Sequence, residues 1–182
     1  MSKRIEYLLE NISAQIGVRE SDDIAASIAL RERKPSSAQE GKQMKAILDV
    51  IVEKYGEDMA RKTMRPCGYH CISDAVIQKA RDIHKDTASL QSFLVELNQN
   101  HIGGGHLRIV DNRIIGEYDH CYCGTAKHTK GMSPVYCECS AGWFERLFSS
   151  VFEKPVVVVP KHTILQGEAT CIFEISNFEA IR

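Results

Sequence analysis

The chain has 182 residues, enough for one substantial core or for a helical subdomain packed on a mixed one. Its 23 basic and 24 acidic residues leave a net charge of -1, which offers no bulk electrostatic attraction to nucleic acid or to an acidic membrane surface. No apolar run approaches the roughly 18 residues of a membrane span and Met1-Ser-Lys-Arg-Ile-Glu6 has no apolar signal core, so the expected location is cytoplasmic.

From Lys3 to Ile16, Ile5, Leu8, Leu9, Ile12 and Ile16 recur at helical spacing, and Gly17 ends the run. Ser21 is placed to cap a short second helix through Ile24, Ile28 and Leu30. The charged stretch Arg31-Glu-Arg-Lys34 and Pro35 read as a loop. Ser36 or Ser37 then caps the next helix, with Glu40 near the position that completes a capping box. That helix carries Met44, Ile47, Leu48, Ile51, Val52 and Tyr55 and is expected to stop at Gly56, with two more turns before Pro66. Cys67-Gly-Tyr-His-Cys71 leads into a helix bearing Ile72, Val76, Ala80 and Ile83. Thr87 or Ser89 caps another with Leu90, Phe93, Leu94 and Leu97.

The pattern changes at Gly103-Gly104-Gly105. Two short β-prone runs holding Leu107, Ile109 and Ile114 meet at Asp111-Asn112, a hairpin turn signal. A polar loop follows from Gly124 to Ser133. From Ser140, Trp143, Phe144, Leu147, Phe148, Val151 and Phe152 form one wide apolar helical stripe that Pro155 stops. Val156 to Val159 read as a strand buried on both faces. Thr163 to Gln166 and Cys171 to Ile175 read as two strands around Gly167-Glu168. The expected fold is α+β: a helical region over residues 1–100 packed, in one compact unit, on a 101–182 region with a small antiparallel sheet and a long aromatic-rich helix.

The cysteines carry the chemical content. Seven is an odd count, and in a reducing compartment it favours metal binding, redox chemistry or burial over a disulfide framework. Cys121-Tyr-Cys123 and Cys137-Glu-Cys139 are separated by thirteen residues, which lets the intervening loop fold back. In extended chain, residues two apart point to one side, so two such pairs offer four thiolates to a borderline-soft ion such as zinc. Cys137 and Cys139 also stand at a helix start, where the helix dipole stabilises a thiolate. Cys67 and Cys71 are four apart and share one face if the segment is helical, where they could complete a metal site, form a redox pair, lie in the core or serve as candidate nucleophiles. An iron-sulfur cluster takes the same donors, but no usual cluster spacing is present. His70, His120 and His162 read as ordinary surface histidines. The glycine triplet opens a strand, which makes it a poor phosphate cradle.

Cys139-Ser-Ala-Gly-Trp-Phe144, Phe152-Glu-Lys-Pro-Val156 and Gly167-Glu-Ala-Thr-Cys-Ile-Phe173 carry a resemblance. Over this C-terminal part the chain resembles the vinyl reductase-type domain, the family of a bacteriochlorophyll biosynthesis protein and of aromatic-responsive sensors. The closing motif is also similar to that of a thiazoline-carboxylate hydrolase-like family. The resemblance implies a ligand pocket between helices and sheet, often beside structural zinc, with the family's zinc positions falling on Cys137 and Cys171. Its other two ligand positions fall near Pro160 and Thr163, which cannot replace an acidic or thiolate donor, so Cys121, Cys123 or Cys139 would complete the set.

The leading expectation is a small-molecule-binding protein with zinc held by some of Cys121, Cys123, Cys137, Cys139 and Cys171, and with Trp143, Phe144, Phe148 and the valine strand bordering the pocket. The alternative is a metal- or thiol-dependent hydrolase of a small heterocyclic or amide substrate, with Cys67 or Cys71 as nucleophile. A tethering scaffold needs only the fold and exposed apolar surface. The expected partners are a small-molecule ligand and, for self-association, a second copy in a homodimer.

Overall fold

The structure, a computed structural model, describes residues 1–28 and 35–178. Leu30 and the charged segment 31–34 lie outside the described residues. The first half is helical. Ser2 caps α1 (Lys3–Gln15), its hydroxyl accepting from the Ile5 amide at 3.4 Å. α2 (Val18–Ser27) begins three residues before the expected cap, because Gly17 at φ 133° turns the chain directly into it. Ser21 therefore lies inside α2, where its buried hydroxyl donates to the Leu9 carbonyl at 2.8 Å and ties the two helices together.

α3 (Ser37–Met64) is capped by Ser36 in a reciprocal box with Gln39, not with Glu40. Glu40, one residue on, is left to bond across the molecule to Arg4 and Thr125. Gly56 kinks α3 at φ 82° without ending it, so the expected stop is a bend. The short α4 (Cys67–Cys71), α5 (Asp74–Asp86, capped by Ser73) and α6 (Leu90–Gln99, capped by Ser89) follow.

The sheet has four antiparallel strands, β1 (Leu107–Val110), β2 (Arg113–Tyr118), β3 (Val157–His162) and β4 (Cys171–Ser176), in the order β1-β2-β4-β3. Asp111 and Asn112 both take positive φ, 48° and 58°, the two-residue hairpin the dipeptide signalled. Two strand readings are corrected. β3 is an edge strand with Val157 and Val159 50% and 40% exposed, which is why Pro160 is tolerated in it; its apolar run is not buried on both faces. Thr163 to Gln166 is no strand but a turn of 3-10 helix at Ile164–Gln166, closed by Gly167 at φ 96°.

Between the hairpin and β3 lie α7 (Gly124–Lys127), in the expected loop, and α8 (Glu138–Phe152). α8 turns Phe144, Phe148 and Leu147 onto the sheet, where they pack with Phe173, Phe93 and Leu97. A second apolar cluster joins α1, α2 and α3 with Met132, Val135 and Tyr136. The mixed helix and antiparallel-sheet architecture is α+β. Among the described residues, no helix is long and apolar enough to cross a membrane.

Candidate functional site

At the seam between the two clusters lies a cavity of about 310 Å³. Six of the seven cysteines line it: Cys71, Cys121, Cys123, Cys137, Cys139 and Cys171. Arg4, His101, Tyr118, Tyr122, Tyr136 and Trp143 are also in the wall. The elements that deliver them are far apart in sequence: the first turn of α1, the end of α4, the end of β2, the 3-10 turn Pro134–Cys137, the start of α8 and the first residue of β4.

One residue orients the middle of this wall. Glu138, between Cys137 and Cys139, is buried and points away from the cavity, accepting from Arg65 at 2.6 and 3.0 Å and from Arg61 at 3.1 Å. These charge-assisted bonds fix the rotation of α8 about its axis at its first turn. The neighbouring cysteines then face the cavity in different directions, because residues two apart on a helix are turned by about 200°. Cys139 meets Cys71, sulfur to sulfur at 3.6 Å, and Cys137 is turned to the side of Cys171, with which it interacts electrostatically. The α4–α8 contact behind the second pair is closed by two glycines. A Cβ on Gly68 would lie 2.0 Å from the Cys139 carbonyl oxygen, and one on Gly142 would lie 2.0 Å from that of Arg65.

The sulfurs polarise one another. The Cys139 thiol donates to Cys71 and, aided by the charge of Arg4, holds the Cys71 thiol down at about 6, while Cys139 itself is driven well above the ordinary range. Cys137 and Cys171 likewise shift each other: Cys171, which accepts from the Ile164 amide at 3.3 Å, falls to about 7 as Cys137 rises. Burial raises Cys121. Arg4 is held charged against burial by Tyr136, Cys123, Cys71 and Glu40, and it donates to Thr125 at 2.7 Å and to Glu40 at 3.2 Å. Tyr136 reaches Cys123 with its hydroxyl at 3.3 Å. The Tyr118 hydroxyl is pushed up by burial, and its ring lies 5.4 Å from those of Phe144 and Phe173.

Among the described residues, no three histidine, cysteine, aspartate or glutamate side chains converge closely enough to hold a metal ion as they stand. The five expected zinc ligands are thus collected around one space but not gathered at a point: Cys139 is set against Cys71 and Cys123 against the Tyr136 hydroxyl. The physical reason is that the second Cys-x-Cys enters a helix, where the alternation expected of extended chain does not apply. Of the expected aromatic border, Trp143 lines the cavity; Phe144 and Phe148 are fully buried on the sheet-facing side of α8, and the valines of β3 are not in the wall. Cys67 stays outside the cavity, buried, accepting from Asn11 at 3.4 Å and pushed up to about 12 by burial. His120 pairs with Asp119 at 2.8 Å and His70 stacks on Tyr7, so neither is in the wall. Tyr118 was legible as the end of the strand that leads to the first cysteine pair, whereas Arg4, His101 and Tyr136 had no sequence signal beyond the closeness of Tyr136 to Cys137.

The chain matches, over residues 3–182, the family described as "Family of unknown function (DUF6144)". It belongs to that family. No curated protein matches the chain. Among solved structures, this DUF6144 chain is similar to an H-NOX protein from S. oneidensis in the Fe(II)NO ligation state, with a TM-score of 0.50 and 15% identity over 97% of this chain and 98% of that one. A triple alanine mutant of an S. oneidensis H-NOX protein, in the Fe(II) ligation state, gives a TM-score of 0.50 and 16% identity over 98% of both chains. At that identity the likeness concerns the fold. It covers the helical first hundred residues as well as the C-terminal part, and neither the family match nor these two structures return the vinyl reductase-type family.

Proposed function

We propose that this DUF6144 chain is a small-molecule-binding protein whose ligand occupies the cysteine-lined cavity, with the helical and sheet-bearing regions acting as one unit around it. The observation that carries this reading is the convergence of six cysteines, an arginine and four tyrosine or tryptophan rings on about 310 Å³. That volume is near the lower end of the roughly 300–1,000 Å³ of small-molecule sites. The fold likeness to H-NOX proteins, one of them in an Fe(II)NO ligation state, and the vinyl reductase-type resemblance both favour it. A reducing, cytoplasmic setting would keep the thiols free.

The Fe(II) and Fe(II)NO states belong to the neighbours. A haem-sized group does not fit here: the space is small, and the only histidine in its wall, His101, is exposed at the rim. Zinc fits one end better. Cys137, Cys171 and Cys121 influence one another electrostatically, and an ion that drew them together would link the start of α8 to β4, contributing to folding as structural zinc does. Native mass spectrometry of freshly purified protein, with metal analysis and thiol titration before and after chelation, tests both parts. A co-purified molecule supports the ligand reading. Seven immediately titratable thiols with nothing bound would remove both.

A second reading, a thiol-dependent enzyme, is favoured by Cys71: it is exposed, lines the cavity and has a depressed thiol pKa, whereas Cys67 has none of these properties. Loss of turnover in Cys71→Ala with binding retained would support it.

A further inference from the structure

We propose that Cys71 and Cys139 are a working dithiol that exchanges with low-molecular-weight disulfides entering the cavity. This activity rests on the reading of the cavity as a ligand site. Three features of the geometry carry it. The two sulfurs are 3.6 Å apart, so closing to the roughly 2.05 Å of a disulfide needs a movement of about 1.5 Å, within reach of a side-chain rotation. The pair is asymmetric in access: Cys71 is exposed at the end of α4, and Cys139 is half-buried behind it in the first turn of α8. The contact is also built into the backbone, because Gly68 and Gly142 let α4 and α8 approach more closely than any side chain there would allow.

The exchange proceeds in two steps. The Cys71 thiolate attacks one sulfur of the incoming disulfide; that S–S bond breaks, a mixed disulfide forms on Cys71, and the departing thiolate takes up the proton that Cys71 gave to solvent. Cys139 then attacks the Cys71 sulfur, the mixed disulfide breaks, and the second small thiol leaves with the proton of Cys139. The substrate disulfide gains two electrons and becomes two thiols, while the protein dithiol loses two and becomes the Cys71–Cys139 disulfide. A small-molecule thiol in excess returns it by the reverse steps. Cys137 and Cys171 are less suited, since Cys171 is buried at the head of β4.

The test uses the full, reduced chain with glutathione disulfide as the probe. The expected result is the loss of two of the seven thiols, with peptide mapping joining Cys71 to Cys139. Cys139→Ser should accumulate a stable glutathione adduct on Cys71, Cys71→Ser should form neither adduct nor bridge, and Cys67→Ala should behave as the wild type. A bridge between Cys137 and Cys171 instead, or no Cys71 adduct in Cys139→Ser, overturns the proposal. So does a wild type whose Cys71 and Cys139 resist the probe until a chelator strips a bound metal. The wild-type map needs no variant to fold. A chain that holds a co-purified molecule yet forms no bridge refutes the dithiol alone; one that holds nothing and still forms the bridge refutes the small-molecule reading alone.

Discussion

Cys71 meets Cys139 across a helix–helix contact, and Cys137 interacts with Cys171 across a helix–strand junction. The two pairs share one chemistry, neighbouring thiols that shift each other's titration in opposite directions, and one cavity. Their supports differ. The first depends on two bare backbones passing at glycines, the second on the sheet register that sets Cys171 opposite Tyr118 and on the Ile164 amide that holds its sulfur. One pair is accessible and held by close packing; the other is enclosed and held by hydrogen bonds. Access is therefore decided by the supporting element, not by the cysteine spacing.

Gly142→Ala attacks the first support alone. Its Cβ would overlap the Arg65 carbonyl where α3 passes into α4, so α8 must move away from that junction, at an expected cost of about 3 kcal/mol in urea unfolding. The Cys71–Cys139 bridge should be lost while the Cys137–Cys171 interaction persists. Glu138→Gln loosens both pairs together, because it releases the rotation of α8. Arg61 and Arg65 are 37% and 29% exposed and regain some water, so the expected loss is about 2 kcal/mol, below the range for a wholly buried pair.

The pH dependence separates accessible from buried sulfur. A thiol is nucleophilic only when ionised, and the Cys71 pKa is lowered to about 6; its alkylation rate should be flat above that value and fall about tenfold per unit below it. Cys67, pushed up to about 12, stays protonated and should remain unlabelled throughout. A Cys71 rate still rising between pH 7 and 9 would contradict the Cys71–Cys139 hydrogen bond. Tyr136→Phe has the smallest expected effect. It removes the hydroxyl 3.3 Å from Cys123 and should cost about 1 kcal/mol, read as a shift in thermal midpoint, with both thiol pairs intact.

Much of the frame was legible from local rules. The periodicity of α1, α3, α6 and α8, the caps at Ser36 and Ser89 and the Asp111-Asn112 hairpin all follow from neighbours within a few residues, so they can be read along the chain. Where those rules failed, a distant contact intervened. Ser21 is drawn to the Leu9 carbonyl, and Val157 and Val159 look buried in sequence but stand on an edge strand, because strand order is not a local property.

The amino-acid sequence by itself determined which residues carry soft, acidic and aromatic chemistry, and that Cys137 and Cys139 would stand at the mouth of an aromatic helix. Only the tertiary structure decided that Cys71 joins them, that Cys67 does not, and that the sulfurs face one another in pairs. The physical reason is that helix rotation and helix approach are set by contacts 68 to 77 residues apart, Cys71 with Cys139 and Arg61 with Glu138, which no spacing along the chain encodes.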